Sequence, residues 1–340
     1  MIKQCFFLVC AVIVPMMVYA AGSCSRETVL KQALVSVSAE APVFTSCEAF
    51  SPTELRFHFS MPVTVTSLHF DRPLEIESIS NGAQVTVMLK QAIPEGISLS
   101  ADLLVQAERG DTLNVLIPFT SRNSHIPSIR ITELRTEYSK PKVEFVEFKT
   151  ASAGNLGSLR VFIASNGMDA PVFTFPSVEV RSGEYILVHL RSLEEGLLDE
   201  TGPSRAASPG TEAPADARDF WVPGTGKLLR KTDAVLLMDQ DDKILDAVLL
   251  SDNTDPAWAK STLTEAAALL KAQNVWKGTG NLLLPTDAVP STGTTATRSI
   301  SRAEARADSD SAADWYVTAT SGASPGAPNS DKRYVATPKR

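Results

Sequence analysis

The sequence predicts an all-β protein made of two β-sandwiches in tandem, with one α-helix inserted in the second. Apolar and polar residues alternate with period two far more often than with a helical period, which is typical of half-buried strands. Turn residues separate these runs at intervals of about ten residues, as in sandwich folds. With 340 residues and 44% hydrophobic side chains, the chain can form roughly two domains, and wholesale disorder and a polytopic membrane protein are excluded.

The charge balance argues against one class of partner. The chain has 32 Lys and Arg residues against 39 Asp and Glu residues, a formal net charge of −7. Because an acidic protein has no general attraction for a polyphosphate backbone, no nucleic acid is expected as a partner.

The N-terminus has the composition of a secretory signal. Lys3 supplies a positive charge, and residues 6–17 form an almost unbroken apolar run that is too short to span a membrane. We predict a signal peptide over residues 1–20. The alternative is a lipoprotein signal over residues 1–23, whose AGSC sequence would leave Cys24 lipidated. Both alternatives predict export, to the periplasm, the outer membrane or the cell surface.

Export leaves two cysteines, because Cys5 and Cys10 are removed with the signal. Under ordinary cleavage, Cys24 and Cys47 can form one disulfide, whose loop of about 23 residues stabilises the fold by roughly 3 kcal/mol. Under lipidation, the lipid on Cys24 is the only expected membrane association, and Cys47 is left alone and buried. Both alternatives are kept as lipidation or disulfide sites.

Residues 24–122 are predicted to form the first sandwich. Its strands are predicted at residues 55–59 and 63–65, joined across Met61-Pro62, and at residues 74–79, 84–89, 103–107 and 112–118. The segment TELRFHFSMPVTV resembles the opening strands of bacterial Ig-like modules found on exported proteins.

Residues 123–330 are predicted to form the second sandwich. Their sequence motifs, called phrases below, are more characteristic of one family than those of the first sandwich. The phrases are PKVEFVEFK, LGSLRVFIASN, FTFPSVEVRSGEYILVHL, LLRKTDAVLLMDQDDKILDAVLL, RSISR and ADWYVTATSGASPGAPN. Together they resemble the lamin-tail domain of bacterial secreted proteins over residues 129–329. The resemblance implies an Ig-like sandwich with Trp315 on its last strand, in the core. The expected fold is therefore two Ig-like sandwiches in tandem.

Two insertions interrupt this resemblance, at residues 196–218 and 252–297. The first insertion and the end of the second insertion are rich in Pro, Gly, Ala and Ser, so we expect mobile loops there. Apolar spacing predicts a helix over residues 256–276, laid on an open end of the sheet or used for docking to a partner or a membrane surface. Residues 331–340 are expected to be a basic, disordered tail.

That helix has two candidate N-terminal signals. Thr262 and Glu265 would form a capping box, or Asp255 would be the N-cap before Pro256.

No cluster has the spacing of a catalytic, cofactor-binding or metal site. The densest carboxylates are predicted to form an acidic hairpin tip, because Lys243 stands where a calcium loop needs glycine. Glu144 and Glu147 are three residues apart on a strand and point to opposite faces, which excludes a paired acid and base. The acidic residues of the hairpin are Asp239, Asp241, Asp242 and Asp246.

Two further patterns also lack a functional signature. The four histidines are scattered, at His58, His69, His125 and His189, with no ligand or triad spacing. The sequence GTGK at residues 224–227 is expected to be an ordinary loop rather than a phosphate loop.

The expected function is that of a non-catalytic exported envelope protein acting as a binding or scaffolding module. Its partner would be an envelope protein, a glycan or a lipid surface, and no cofactor is expected. The alternative is a secreted hydrolase or nuclease, or an accessory subunit of one, because lamin-tail domains commonly accompany hydrolases and nucleases in bacteria.

Overall fold

The computed structural model describes residues 41–336 of the chain. The all-β prediction is confirmed, with 40% strand and 7% helix. Within the described range, no helix is long and apolar enough to cross a membrane.

The first half of the structure is a six-stranded antiparallel sheet. Its strands are β1 (Phe44–Ser51), β2 (Glu54–Phe70), β3 (Ile76–Ser80), β4 (Gly82–Leu89), β5 (Ser98–Ala107) and β6 (Thr112–Thr120). The order is β3-β4-β2-β5-β6, and β1 also pairs with β2. β2 to β6 agree with the predicted strands, whereas β1 was not predicted.

β2 is the long strand that gives this sheet its curvature. Its first part pairs with β1 and β4, whereas its second part, from Val63, pairs with β5. The register shifts between His58 and Val63, at the predicted Met61-Pro62 interruption. One sheet therefore curls around a single core, which includes the fully buried Leu55 and Phe57.

The second half contains the remaining strands, in three sheets. The strands are β7 (Ile129–Arg135), β8 (Phe145–Thr150), β9 (Gly154–Asn155), β10 (Arg160–Ile163), β11 (Phe173–Thr174), β12 (Glu179–Val180), β13 (Tyr185–His189), β14 (Ala217–Trp221), β15 (Asp233–Met238), β16 (Ile244–Ser251), β17 (Val289–Pro290), β18 (Ile300–Arg302) and β19 (Trp315–Val317). A six-stranded sheet has the order β14-β13-β8-β7-β18-β19, a five-stranded sheet the order β11-β10-β15-β16-β17, and β9 pairs with β12.

The two larger sheets pack around one apolar core. Val146 and Phe148 of the six-stranded sheet share this core with Val235 and Leu249 of the five-stranded sheet. Trp315 is in the same core and is 6% exposed, which confirms its predicted position. The second half is therefore a β-sandwich.

The inserted helix is shorter than predicted. α1 (Ser261–Ala272) buries Leu263, Ala266, Ala267 and Leu270 against the sandwich and contacts β15 and β16. Neither predicted cap forms, because the helix begins five residues after Pro256 with Lys260 as its N-cap and no side-chain cap bond. The segment before α1 is held outside the helix, since the Trp258 indole N–H donates to the Leu283 carbonyl at 2.8 Å.

The insertion at residues 196–218 is more ordered than its composition indicates. Glu200 is 2% exposed and accepts hydrogen bonds from the Ala207 and Ser208 amides at 2.7 and 2.9 Å. Such bonds satisfy backbone groups that a mobile loop would expose to water. The segment ends at Ala217, where β14 begins.

The same segment covers the edge of β14. The amide of Asp219 donates to Glu200 Oε2 at 3.0 Å, and the amide of Trp221 donates to Asp199 Oδ1 at 2.8 Å. The Glu200 amide donates to the Asp219 carbonyl at 3.0 Å. These edge groups of the sheet are therefore already paired.

The first residues of the expected disordered tail form backbone hydrogen bonds with the end of β19 and the residue after it. The amide of Tyr334 donates to the Val317 carbonyl at 2.8 Å, and Arg333 forms a bridge with Thr318. The Arg298 guanidinium lies 4.3 Å from the centre of the Tyr334 ring. Alignment of the tail beside β19, together with this cation–π contact, explains why these residues are ordered despite their polar composition.

Candidate functional site

The outer face of the six-stranded sheet is charged and buried. Because Val146 and Phe148 of β8 point into the core, Glu147 points to the opposite face. Strand register places Glu133, Arg135, His189 and Asp219 on the same face, and these four are 4% exposed or less. Lys149 and Tyr185 also lie on this face.

Two segments cover this face. The first covering segment is residues 196–216, between β13 and β14, and the second covering segment is residues 319–331, after β19. They meet at Gly326, where an added Cβ would lie 3.1 Å from Pro214 atoms. Gly326 also has φ of +77°, so glycine is required at this contact.

Glu133 and Glu147 hold the second covering segment. They are opposite each other in the β7–β8 pair. Glu133 accepts from the Ser324 amide at 3.0 Å, and Glu147 accepts from the Gly326 amide at 2.7 Å. Thr132 Oγ1 also donates to Glu147, at 2.7 Å. The two carboxylates thus bind backbone amides of the SPGAPN phrase.

Burial changes the acidity of both glutamates. It raises the pKa of Glu133, although hydrogen bonds from Ser299 and Ser324 oppose the change. Burial raises the pKa of Glu147 well above its ordinary value, and the charge of Glu133 adds to this effect. The pair therefore resists carrying two negative charges.

The RSISR and LDAV phrases join the same network. Ser299 and Ser301 both donate hydroxyl hydrogen bonds to Glu133. Arg302 donates to both oxygens of Asp246, at 2.8 and 2.7 Å. Asn329 closes the network, because its side-chain amide donates to the Arg302 carbonyl at 3.0 Å. Phrases far apart in the sequence therefore contact one another.

Two further buried carboxylates are paired with arginines. Glu144 accepts from Arg191 Nε at 2.6 Å, and Glu184 accepts from Arg218 Nε at 2.8 Å. Glu144 and Glu147 have separate partners, in agreement with the predicted opposite faces. Such bidentate or charge-assisted bonds hold the ends of strands in place.

His189 and Asp219 form a buried pair. His189 Nε2 lies 2.7 Å from Asp219 Oδ1, and each side chain is 1% exposed. The Trp221 ring stacks on the imidazole at 3.8 Å between centroids. Burial raises the pKa of Asp219, against the hydrogen bond from His189. His189 Nδ1 is buried without a hydrogen-bond partner, so this pair is closed to solvent.

The acidic hairpin is where the sequence predicts it, between β15 and β16. Asp239 accepts from the amides of Asp241 and Lys243 at 2.9 and 3.0 Å, as in a tight turn. Asp242 pairs with Arg160 at 2.8 Å. Asp246, by contrast, lies within β16 in the ion pair with Arg302, away from the tip. Among residues 41–336, no group of three or more His, Cys, Asp or Glu side chains could hold a metal ion.

The hairpin tip also contacts the linker between the two halves. Arg122 donates to Asp241 at 2.7 Å. The side chain of Asn123 is buried and donates to the carbonyls of Asn155 and Gly157 at 2.8 and 2.7 Å. Gly157 approaches Gly96 so closely that a Cβ on Gly157 would lie 2.8 Å from the Gly96 Cα. This junction joins the two halves through backbone contacts.

The remaining candidates occupy ordinary positions. Cys47 lies on β1 and is half-buried against the first core, whereas Cys24 is outside the described residues. His58 and His69 lie on β2, and His125 is in the linker, 58% exposed. In the 224–227 loop, Lys227 pairs with Glu137 at 3.0 Å.

An open groove lies beside the covered face, and the sequence analysis did not find it. A cavity of about 380 Å³ is lined by both covering segments and by Arg135 and Lys142. A second cavity of about 550 Å³ is lined by Lys140, Lys142 and Lys231 among others. These lysines come from separate parts of the chain, and no local motif connects them.

The fold and these contacts define an all-β protein whose second sandwich is stabilised by a buried polar network. A family model described as "TP_1001_2nd: protein second domain" matches residues 127–317, more than half of the chain. The chain belongs to this family.

One relative extends this comparison. A protein of Treponema pallidum (strain Nichols), described as an uncharacterized protein, is 28% identical over 177 residues. The alignment covers 48% of this chain and 44% of the relative, so the chain spans less than half of that relative's length.

Proposed function

We propose that the protein is a non-catalytic exported envelope protein that acts as a binding or scaffolding module. Its second half, in this proposal, is a lamin-tail-like Ig sandwich. The observation that supports a binding role is the open groove, because its first cavity is lined by covering segments that the sheet holds in place. Functional contacts concentrate on such segments.

The lamin-tail resemblance is supported by the contacts of its own phrases. Glu133 accepts hydrogen bonds from the RSISR and SPGAPN phrases, and Asp246 of the LDAV phrase pairs with Arg302. The phrases therefore have a shared structural task, which is to close the sandwich. None of these contacts presents a reactive group to solvent.

The hydrolase alternative would require residues of the buried network, such as His189 and Asp219, to act on a substrate. A nucleophilic or acid–base mechanism needs side chains that a substrate reaches. His189 and Asp219 are each 1% exposed, and the Trp221 ring covers the imidazole. The groove, in contrast, is open to solvent. We therefore propose that the protein binds its partner and does not cleave it.

The predicted N-terminal signal supports a location outside the cytoplasm. We propose export, with Cys24 occupied by a lipid or by Cys47. The partner would be a protein, glycan or lipid of the envelope, and membrane association would come only through a lipid on Cys24.

A retention experiment tests the binding role. The exported chain (residues 21–340) is immobilised, and an envelope fraction is passed over it and analysed for protein, glycan and lipid. Ala213→Trp fills the first cavity, whereas Ala257→Trp places the same ring on an exposed site elsewhere. We expect Ala213→Trp alone to lose the retained component. Equal retention by both variants would refute the role of the groove, and release of cleavage products would support the hydrolase.

A further inference from the structure

The two open cavities form one continuous groove, which we call the loop groove. Both are lined by Lys142 and Thr297, so they meet at these residues. With volumes of about 380 and 550 Å³, they are each within the usual size range of small-ligand sites. A ligand that fills both must be elongated.

The loop groove has an excess of positive charge although the chain is acidic. Its two carboxylates are already paired, Glu212 with Arg135 and Glu137 with Lys227. Within residues 41–336, Lys140, Lys142 and Lys231 have no ion-pair partner. Three ammonium groups in one groove without counter-charges favour an anionic ligand.

Arg135 gives the groove a fixed polar floor. It is 4% exposed, and its Nη1 donates to the Val143 carbonyl at 3.2 Å as well as to Glu212. Its Nε is buried and has no hydrogen-bond partner in the structure. The guanidinium also lies 4.8 Å from the centre of the Phe145 ring, which fixes its plane.

About half of the remaining lining residues carry a hydroxyl group, and the others are Ala and Pro. Tyr138, which is 41% exposed, adds an aromatic ring. Hydroxyls exchange hydrogen bonds with polyols, and an amphipathic ring packs against the C–H faces of sugars. The hydroxyl side chains that are not buried are Ser139, Thr211, Thr295, Thr297 and Ser321.

Building on the proposed binding role, we propose that the loop groove binds an anionic polysaccharide chain through carboxylate groups on successive sugars. The lysines pair with the carboxylates, and the hydroxyl side chains bond to the sugar hydroxyls. An acidic peptide is less favoured, because the edges of the six-stranded sheet, where an extended peptide could add as a strand, are both covered. The β14 edge is capped by Asp199 and Glu200, and β19 is paired with the segment around Tyr334.

The test uses three polymers and two variants. Oligogalacturonate is a hydroxylated polyanion, poly-L-glutamate of the same number of carboxylates is a peptide polyanion, and dextran is a neutral polyol. The groove variant is K140Q/K142Q/K231Q, and the matched control is K90Q/K243Q/K260Q, which changes the net charge equally at exposed lysines. Binding to the exported chain (residues 21–340) is measured by calorimetry, and circular dichroism checks that both variants fold.

We expect oligogalacturonate to bind more tightly than the other two polymers, and more weakly as salt is added. The groove variant should lose about tenfold in affinity, and the control less than about twofold. Equal losses in both variants, tighter binding of poly-L-glutamate or dextran, or no binding of oligogalacturonate would overturn the proposal. If Ala213→Trp still abolishes envelope retention in that case, the binding role stands and only the anionic polysaccharide is wrong.

Discussion

Arg302 joins the two sheets of the second sandwich through Asp246. Asp246 lies on β16 of the five-stranded sheet, and Arg302 lies on β18 of the six-stranded sheet. Their side chains are 10% and 3% exposed, and Asp246 also accepts from the Ile131 amide of β7 at 2.6 Å. One carboxylate is thus bonded to two strands of the opposite sheet.

The first prediction concerns this ion pair. Asp246→Ala should lower the free energy of unfolding by about 3 kcal/mol, because it leaves Nη2 of the buried Arg302 and the Ile131 backbone amide without an acceptor, although Arg302 keeps its ion pair with Asp308. Asp242→Asn is the control, since it removes an ion pair with Arg160 at a 53% exposed side chain, keeps a residue that tolerates the φ of +61° there, and should cost less than about 1 kcal/mol. Urea unfolding followed by tryptophan fluorescence measures both, and equal effects would contradict the assignment.

The second prediction concerns pH. Burial raises the pKa of Glu133 and Glu147, and raises the pKa of Asp246 to about 6 despite the nearby Arg302. The folded state therefore holds these protons more tightly than the unfolded chain does. Stability should rise as the pH falls from neutral through the raised pKa values, down to the ordinary carboxyl range.

Glu147→Gln tests the source of this effect. The amide keeps an acceptor oxygen for the Gly326 amide but does not ionise, so the rise in stability toward acid should be smaller. Asp287 and Asp314 act in the opposite sense at lower pH. Their pKa values are lowered by hydrogen bonds that outweigh burial, so their contribution is lost as they protonate below the ordinary range. Urea unfolding at several pH values measures the free energy of unfolding of both proteins. If this free energy changed with pH as steeply in Glu147→Gln as in the unchanged protein, the role of Glu147 would be refuted.

The third prediction concerns the start of the second sandwich. A fragment beginning at Ser121 should fold alone, since the second core is separate from the first. A fragment beginning at Ile126 should be less stable by about 1–3 kcal/mol, because the carbonyls of Asn155 and Gly157 lose their bonds to Asn123. Thermal unfolding of the two fragments compares them, and equal stability would show that Asn123 contributes nothing.

The fourth prediction concerns the junction between the two halves. Gly157→Ala places a Cβ 2.8 Å from the Gly96 Cα and should force the backbones apart. Gly226→Ala is the control, because nothing lies within 4 Å of its added Cβ. We expect faster proteolysis of the linker near Arg122 in Gly157→Ala only. Identical cleavage rates would show that the junction absorbs the methyl group.

The fifth prediction concerns the N-terminus. Cys24 in protein isolated from the envelope should be covalently occupied, by a lipid or by Cys47. Intact-mass analysis before and after reduction distinguishes these outcomes, because an acyl chain adds mass that reduction leaves in place, whereas reducing a disulfide adds two hydrogen atoms. A free Cys24 thiol in native protein would exclude both.

Strands β2, β4, β5 and β6 of the first sheet could be predicted because each has one apolar face. Leu55, Phe57 and Phe59 alternate with polar residues, and only one side of the sheet meets the core. The acidic hairpin was predictable for a related reason, since turn chemistry is local and Asp239 bonds within its own turn.

The buried charges of the second sandwich could not be predicted in the same way. Glu133 and Glu147 alternate with apolar residues, which normally indicates a face exposed to water. What buries them is a pair of covering segments, and the composition of the first indicated mobility rather than packing. The loop groove was hidden for another reason, because Lys142 and Lys231 are brought together only by the tertiary fold.

The covered edge of β14 has a consequence for self-association. An uncovered strand edge is a template on which a second molecule can add its own strand, and repeated addition leads to aggregates. Asp199 and Glu200 occupy the amides of Trp221 and Asp219 that such an addition would use, and they place negative charge beside them. We therefore expect protection of the β14 edge against strand addition to depend on a segment without regular secondary structure, and a protease cut within residues 196–216 to expose that edge.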